Sequence, residues 1–241
     1  MLKTTLTTRQ IAQLTGAPIE ALEKKSIEEY QQNTSSGNEI YVEGIIIESG
    51  SFFNNYEGFI TPANLRQSLN EVDKTGDIDL YIDSPGGSVF AASNMATQIT
   101  KLRKEGRKVN AIVTGLCASA ATYFLLEADE SLISPSGFVM IHRSSAIAMG
   151  NHKGIRQVAD VLEKFDNQYI KQVSNLTGKG TEEVTEAVDK ESWFNADEAV
   201  DYGLVGGIYT AKKVKEDDKE PKQTNKLRIA VNALSDFNYN F

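Results

Sequence analysis

Residues 109–142 constrain the fold of this chain more than any other part. They open on an apolar run, Val109-Asn110-Ala111-Ile112-Val113, and bend at Gly115 into the small-residue string Gly115-Leu116-Cys117-Ala118-Ser119-Ala120-Ala121. An apolar, helix-like segment over 122–128 follows, and the stretch closes on Phe138-Val139-Met140-Ile141-His142. A buried strand passing into a helix at Ser119 holds that hydroxyl at a sheet edge, beside helix N–H groups that have no partner inside the helix. Such groups can stabilise an oxyanion, and the small neighbours let a substrate backbone approach. The same residues would equally allow a helix to pack closely on a strand. The histidines favour the first reading: the chain has two, His142 and His152, and His142 ends an apolar strand, where a buried element reaches a pocket. A serine nucleophile needs a base, most often imidazole, so the stretch predicts Ser119 and His142 as such a pair.

With 241 residues, 40% of them hydrophobic, the chain can bury one substantial core. A net charge of -8 and a pI near 5.0 argue against a general nucleic-acid surface, which needs concentrated Lys and Arg. The single cysteine, Cys117, permits no internal disulfide and reads as a small buried hydrophobe in a reducing compartment. No metal-ligand spacing is visible and no cofactor is expected. No stretch approaches the ~20 apolar residues of a membrane span, and the N-terminus lacks a signal-like apolar block. A cytoplasmic protein is the expectation.

Three regions follow from the pattern along the chain. Residues 1–38 read as an N-terminal helical arm and linker, with a capped helix over 8–16, an amphipathic one over 18–30 and a polar connection over 31–38. Residues 39–210 alternate strands with helices, the pattern of an α/β fold with repeated β-α units around a mostly parallel sheet. Strands are predicted over 40–47, 78–83, 109–113, 131–134 and 138–142, and helices over 62–73, 89–104, 152–177, 181–190 and 196–205. The helix over 152–177 carries Ile155, Val158, Val161, Leu162, Phe165, Tyr169, Ile170 and Val173 on one stripe. At about 40 Å it is long enough to protrude from a small core, as an interface or as a helix packed on its own sheet. Residues 211–241 read as a charged, flexible tail. The Pro85-Gly86-Gly87 turn can aim a backbone N–H at a ligand. Phosphate-loop spacings are absent.

Taken together, Tyr81-Ile82-Asp83-Ser84-Pro85-Gly86-Gly87-Ser88-Val89, Gly115-x-x-Ala118-Ser119 and Val139-Met140-Ile141-His142 resemble, in order, the motifs of the Clp protease proteolytic subunit family, including its phage and prophage-encoded head-maturation branch. Residues 195–205 resemble the closing helix of that fold, and the match spans about 39–208. The resemblance implies a serine endopeptidase, ATP-dependent in the family at large, with Ser119 as nucleophile, His142 as general base and then acid, and the N–H groups of Gly87 and Ala120 as oxyanion hole. The third member, normally Asp, falls two residues before Trp193, on Glu191; Asp189 is the alternative. The resemblance further implies polypeptide substrates bound as an added β-strand, a homo-oligomeric ring (heptamer or tetradecamer) with 152–177 as the handle between rings, and an AAA+ unfoldase or phage capsid proteins as partners. Two departures stand out. Arg143-Ser144 replaces the family's Gln-Pro, and the apolar N-terminal loops that meet an ATPase are not recognisable. The prophage assignment rests on the Glu191-Ser192-Trp193-Phe194 variant and the charged tail. Rival readings are a crotonase-like acyl-CoA enzyme, an inactive capsid or scaffold protein of the same fold, and a Ser/Lys-dyad peptidase.

Overall fold

The computed structural model describes residues 38–51 and 58–209. The arm helices and the charged tail expected from the sequence lie outside the described residues. In chain order the elements are β1 (Glu39–Glu43), β2 (Ile45–Ile46), β3 (Phe59–Ile60), α1 (Pro62–Glu71), β4 (Ile78–Ser84), α2 (Val89–Lys104) and β5 (Val109–Ala118). A 3-10 turn (Ser119–Thr122), α3 (Tyr123–Glu127), β6 (Glu130–Ile133), β7 (Phe138–Ile141) and α4 (His152–Thr177) come next, then α5 (Thr181–Asp189), β8 (Ser192–Asn195), α6 (Ala196–Tyr202) and β9 (Gly207–Ile208). No helix among the described residues is long and apolar enough to cross a membrane.

The main sheet runs β1-β4-β5-β6-β9 with every pair parallel, and β7 joins it along the outer half of β5. Parallel strands linked by helical crossovers are buried on both faces, which matches the near-continuous burial of Val109, Ala111, Ile112 and Val113 in β5. β5 serves two neighbours in succession: residues 110–113 pair with β6, and residues 116–118 pair with β7. Gly115 sits at the change. A Cβ there would lie 2.7 Å from the Asp83 carboxylate, which instead accepts the Leu116 N–H at 2.9 Å and fills the ladder where the β4–β5 register shifts.

Helix starts follow the local chemistry. Thr61 and Asn64 form a capping box around Pro62 at the start of α1, Ser88 caps α2 and Asn151 caps α4, while Gly178 closes α4 at φ 71. Each side-chain cap satisfies an N–H that the helix leaves without a partner.

The structure corrects one sequence expectation and adds detail to two regions. The strand over 40–47 divides at Gly44, whose φ of 94 and Cβ-free face let Gly58 O pass where a side chain would be 2.3 Å away; β2 then leaves the main sheet to pair with β3. Residues 192–195, not foreseen as a strand, form β8, antiparallel to β7, and β9 adds a short final strand. The apolar stripe of the long helix is buried only in its second half, at Tyr169, Ile170 and Val173, with Asp166 among them. Ile155 and Val161 stay 45% exposed.

The turn after β5 is fastened from behind. Thr122 Oγ1 donates to Ser119 O at 2.6 Å and lies 2.7 Å from the Tyr169 hydroxyl. A threonine hydroxyl has one proton, so Tyr169 is the donor in that pair. Phe124 and Leu125 of α3 are fully enclosed beneath it. Replacing Phe124 by alanine is expected to lower unfolding stability by about 3–5 kcal/mol, read as a lower denaturant midpoint at unchanged slope. Thr122→Val should cost about 1–3 kcal/mol by stranding the buried Tyr169 hydroxyl, and adding Tyr169→Phe should recover part of that loss in a double-mutant cycle.

Candidate active site

Ser119 is the first residue after the apolar strand β5, and its φ is 54. Left-handed backbone is uncommon for a serine and costs on the order of 1–3 kcal/mol, so surrounding packing must enforce it. The Pro85-Gly86-Gly87 turn supplies that packing. A Cβ on Gly86, where φ is 92, would lie 2.6 Å from Ala118 O and 2.8 Å from both Ala120 N and Ser119 Cβ, so only glycine lets the two turns meet. Gly87 is held just as closely against β2, where a Cβ would be 2.2 Å from Ile46 O. Ile46 N donates to Gly86 O and Ser88 N donates to Ile46 O, both at 2.8 Å. These bonds bracket Gly87 in a parallel bridge, which directs its own N–H away from β2. Ala120 stands in the first turn of the 3-10 segment, where an N–H has no acceptor inside the helix.

His142 follows β7, whose register sets Met140 opposite Ala118 and so carries the next residues alongside Ser119. Its Nε2 lies 2.7 Å from Ser119 Oγ. A hydroxyl donating to Nε2 requires the ring proton on Nδ1. β8 explains what faces that nitrogen: Ile141 pairs with Ser192 in the antiparallel ladder, so one step further Glu191 comes opposite His142. Glu191 Oε2 is 3.9 Å from His142 Nδ1, and the glutamate side chain is 59% exposed. Glu191, like Ser119, has a positive φ, 51.

Asp189, the other acid considered from sequence, is engaged elsewhere. Its Oδ1 accepts from Arg143 Nε, and the same guanidinium reaches Asp166 Oδ2 at 3.3 Å. Both carboxylates hold the Arg143 guanidinium still further above its already high range, Asp189 contributing most. Asp166 Oδ1 also accepts from Ser144 N at 2.8 Å and Ser144 Oγ at 2.6 Å.

A shallow open cleft lies at Ser119 and His142, lined further by Val89, Ala120, Tyr123, Ser144, Phe165, Asp166 and Tyr169. No lysine is among these residues. Burial, with Asp166 nearby, pushes the Tyr123 hydroxyl up, and burial does the same for Tyr169. Both therefore stay neutral near pH 7. Cys117 is enclosed, and burial raises its thiol, so it lacks the exposed thiolate a nucleophile needs. Among the described residues no cluster of three or more His, Cys, Asp or Glu side chains could hold a metal ion.

The structure thus brings Ser119, His142 and Ala120 together, packs Gly86, the neighbour of Gly87, against residues 118–120, sets Glu191 just beyond hydrogen-bond range, and turns Asp189 onto Arg143. Sequence reasoning passed over Asp166. Its signal was available: residues 166, 169, 170 and 173 share the buried face of α4, and an acid at that spacing must have a partner.

The Clp protease family model matches residues 60–212. Among similar proteins, the ATP-dependent Clp protease proteolytic subunit 2 of Thermobifida fusca is 31% identical over 144 residues, covering 59% of this chain and 70% of that protein. The ATP-dependent Clp protease proteolytic subunit of Bacteroides fragilis is 30% identical over 146 residues, covering 60% and 69%. Subunit 2 of Corynebacterium efficiens is 33% identical over 144 residues, covering 59% and 71%. The matched span contains the serine turn, the glycine turn packed against it and the strand that leads to the histidine; with that much of its length accounted for, the chain belongs to the Clp protease family.

Proposed function

We propose that this protein is a Clp-like serine endopeptidase subunit in which Ser119, His142 and Glu191 carry the chemistry and the N–H groups of Gly87 and Ala120 receive the oxyanion. One observation supports this above the rest: a serine in strained left-handed backbone whose hydroxyl lies 2.7 Å from an imidazole nitrogen. Ser119 Oγ attacks the scissile carbonyl carbon and His142 Nε2 takes the hydroxyl proton. The negative oxygen is held by the two amides, and the imidazolium returns its proton to the leaving amine. Water, deprotonated by His142, then resolves the acyl-enzyme and regenerates the serine. Glu191 favours the Nδ1–H tautomer and the imidazolium, closing from 3.9 Å as substrate fills the cleft. Catalytic hydrogen bonds are often long before substrate binds.

The peptidase domain in this reading is residues 39–210, between the N-terminal arm and the charged tail. It acts on polypeptides as a homo-oligomeric ring in the cytoplasm. Ring assembly is supported by the first half of α4, which leaves Ile155 and Val161 half exposed on a face with no buried residue. ATP dependence is supported by the names of the relatives, and the family resemblance makes an AAA+ unfoldase the partner that would supply it. The prophage, capsid-maturation version stands on residues 191–194 and the tail composition alone.

A fluorophosphonate probe tests the chemistry. It should label the protein at Ser119, with labelling lost in Ser119→Ala and reduced at least about a thousandfold in His142→Ala. Glu191→Gln should lower peptide hydrolysis at least about tenfold more than Asp189→Asn. A folded wild-type protein that takes no label would favour the inactive scaffold instead. Gly86→Ala should cost on the order of a hundredfold in kcat/KM, because the added methyl strikes the Ser119 turn and misplaces the nucleophile.

A further inference from the structure

We propose that Arg143 is a positioning residue for the Ser119–His142 pair, one that keeps Asp189 away from the imidazole and ties the turn carrying Glu191 to α4. This deepens the proposed function and rests on it. Three carboxylates surround the histidine strand end: Asp166 on α4, Asp189 at the end of α5, and Glu191 just before β8. A single guanidinium, on the residue after His142, binds the first two and leaves the third to the ring.

Each link in this chain of contacts limits the next. Asp166 is 5% exposed and fixed on the buried face of α4. It grips Arg143 with Oδ2 and both the backbone and side chain of Ser144 with Oδ1, so the two residues after His142 cannot swing. Arg143 in turn fixes Asp189 through Nε. Two bonds continue the turn: Glu191 N donates to Val188 O at 3.2 Å, and Ser192 Oγ donates to Ala187 O at 2.7 Å. Glu191 is therefore presented to His142 by a turn whose free end is held by Arg143. The planar fork of arginine can engage two carboxylates through separate nitrogens, whereas lysine offers one charged nitrogen on a flexible stem.

The electrostatic role is separable from the mechanical one. Around His142 stand Ser119, Tyr123 of α3, Asp166 and Tyr169 of α4, Arg143 beside it in the chain, and Glu191 and Asp189 from the α5–β8 turn. Arg143 is the cation among them. Removing it deletes one positive charge and releases Asp189, two residues from Glu191; both changes favour the protonated imidazole.

The test uses the full chain, a fluorogenic peptide, pH profiles and denaturation midpoints for Arg143→Gln, Arg143→Lys, Asp189→Asn and the double variant Arg143→Gln/Asp189→Asn. Arg143→Gln is expected to lower kcat about tenfold with KM within about twofold, and to move the acid limb of kcat/KM about half a pH unit higher. Asp189→Asn should lower kcat and move the limb lower. The double variant should return the limb to its wild-type position without restoring kcat, since charge is rebalanced while the tether stays broken. Arg143→Lys should keep the limb and recover only part of kcat. If Arg143→Gln does not fold, the lysine and asparagine variants carry the same comparison. A lowered midpoint with kcat and limb unchanged in these variants would make the contact a purely structural ion pair and overturn the proposal. Wild-type protein that neither labels nor cleaves would instead overturn the catalytic reading on which the proposal depends.

Discussion

The site depends on a contact between two turns that tolerates no side chain. Gly86 lies against residues 118–120 so closely that a methyl group would overlap Ala118 O, and Ser119 is held in left-handed backbone beside it. An isolated serine turn would relax, since the strain is comparable to the net worth of one or two hydrogen bonds. It persists because β4 and β5 are neighbours in a buried parallel ladder and because Phe124, Leu125 and the Thr122–Tyr169 pair close the space behind. The apolar core contributes here by denying the turn any other place to go.

What could be read in the sequence follows from how local each signal is. The serine turn, the glycine turn and the helix over 152–177 were legible because apolar runs, small-residue strings and a 3.6-residue stripe are written in adjacent positions. The break at Gly44 was not, since a single glycine in a strand pattern leaves its cause unstated, and here the cause is the close passage of Gly58. β8 was missed because Ser192-Trp193-Phe194-Asn195 shows no clear alternation, and its strand character comes from pairing with β7. The sequence put Glu191 ahead of Asp189 on its place before Trp193, but it could not show that Asp189 is engaged by Arg143, whose two partners lie 23 and 46 residues away in the chain.

Charge is distributed unevenly about the histidine. Arg143 is shared by an acid on the long helix and an acid before the last antiparallel strand, while Glu191 stays solvated at 3.9 Å from the ring. A solvated acid at that distance stabilises a cation less than a buried, bonded one. Ser119 and His142 are therefore assembled more tightly than His142 and Glu191, with 2.7 Å on one side of the imidazole and 3.9 Å on the other.

The long helix α4 is a single element living in two environments. From Asp166 onward it is seated in the core, whereas its first half contains no enclosed residue. Helical order in the outer turns is sustained by propagation from the seated end and by the Asn151 cap, because a short solvated helix has little stability of its own. Amide protons along this one helix are therefore expected to exchange with solvent on a gradient, fastest at the outer turns and slowest near Val173. Any surface that covers the outer half acts first as a clamp on that fraying, and only through the seated turns around Asp166 does it reach the cleft.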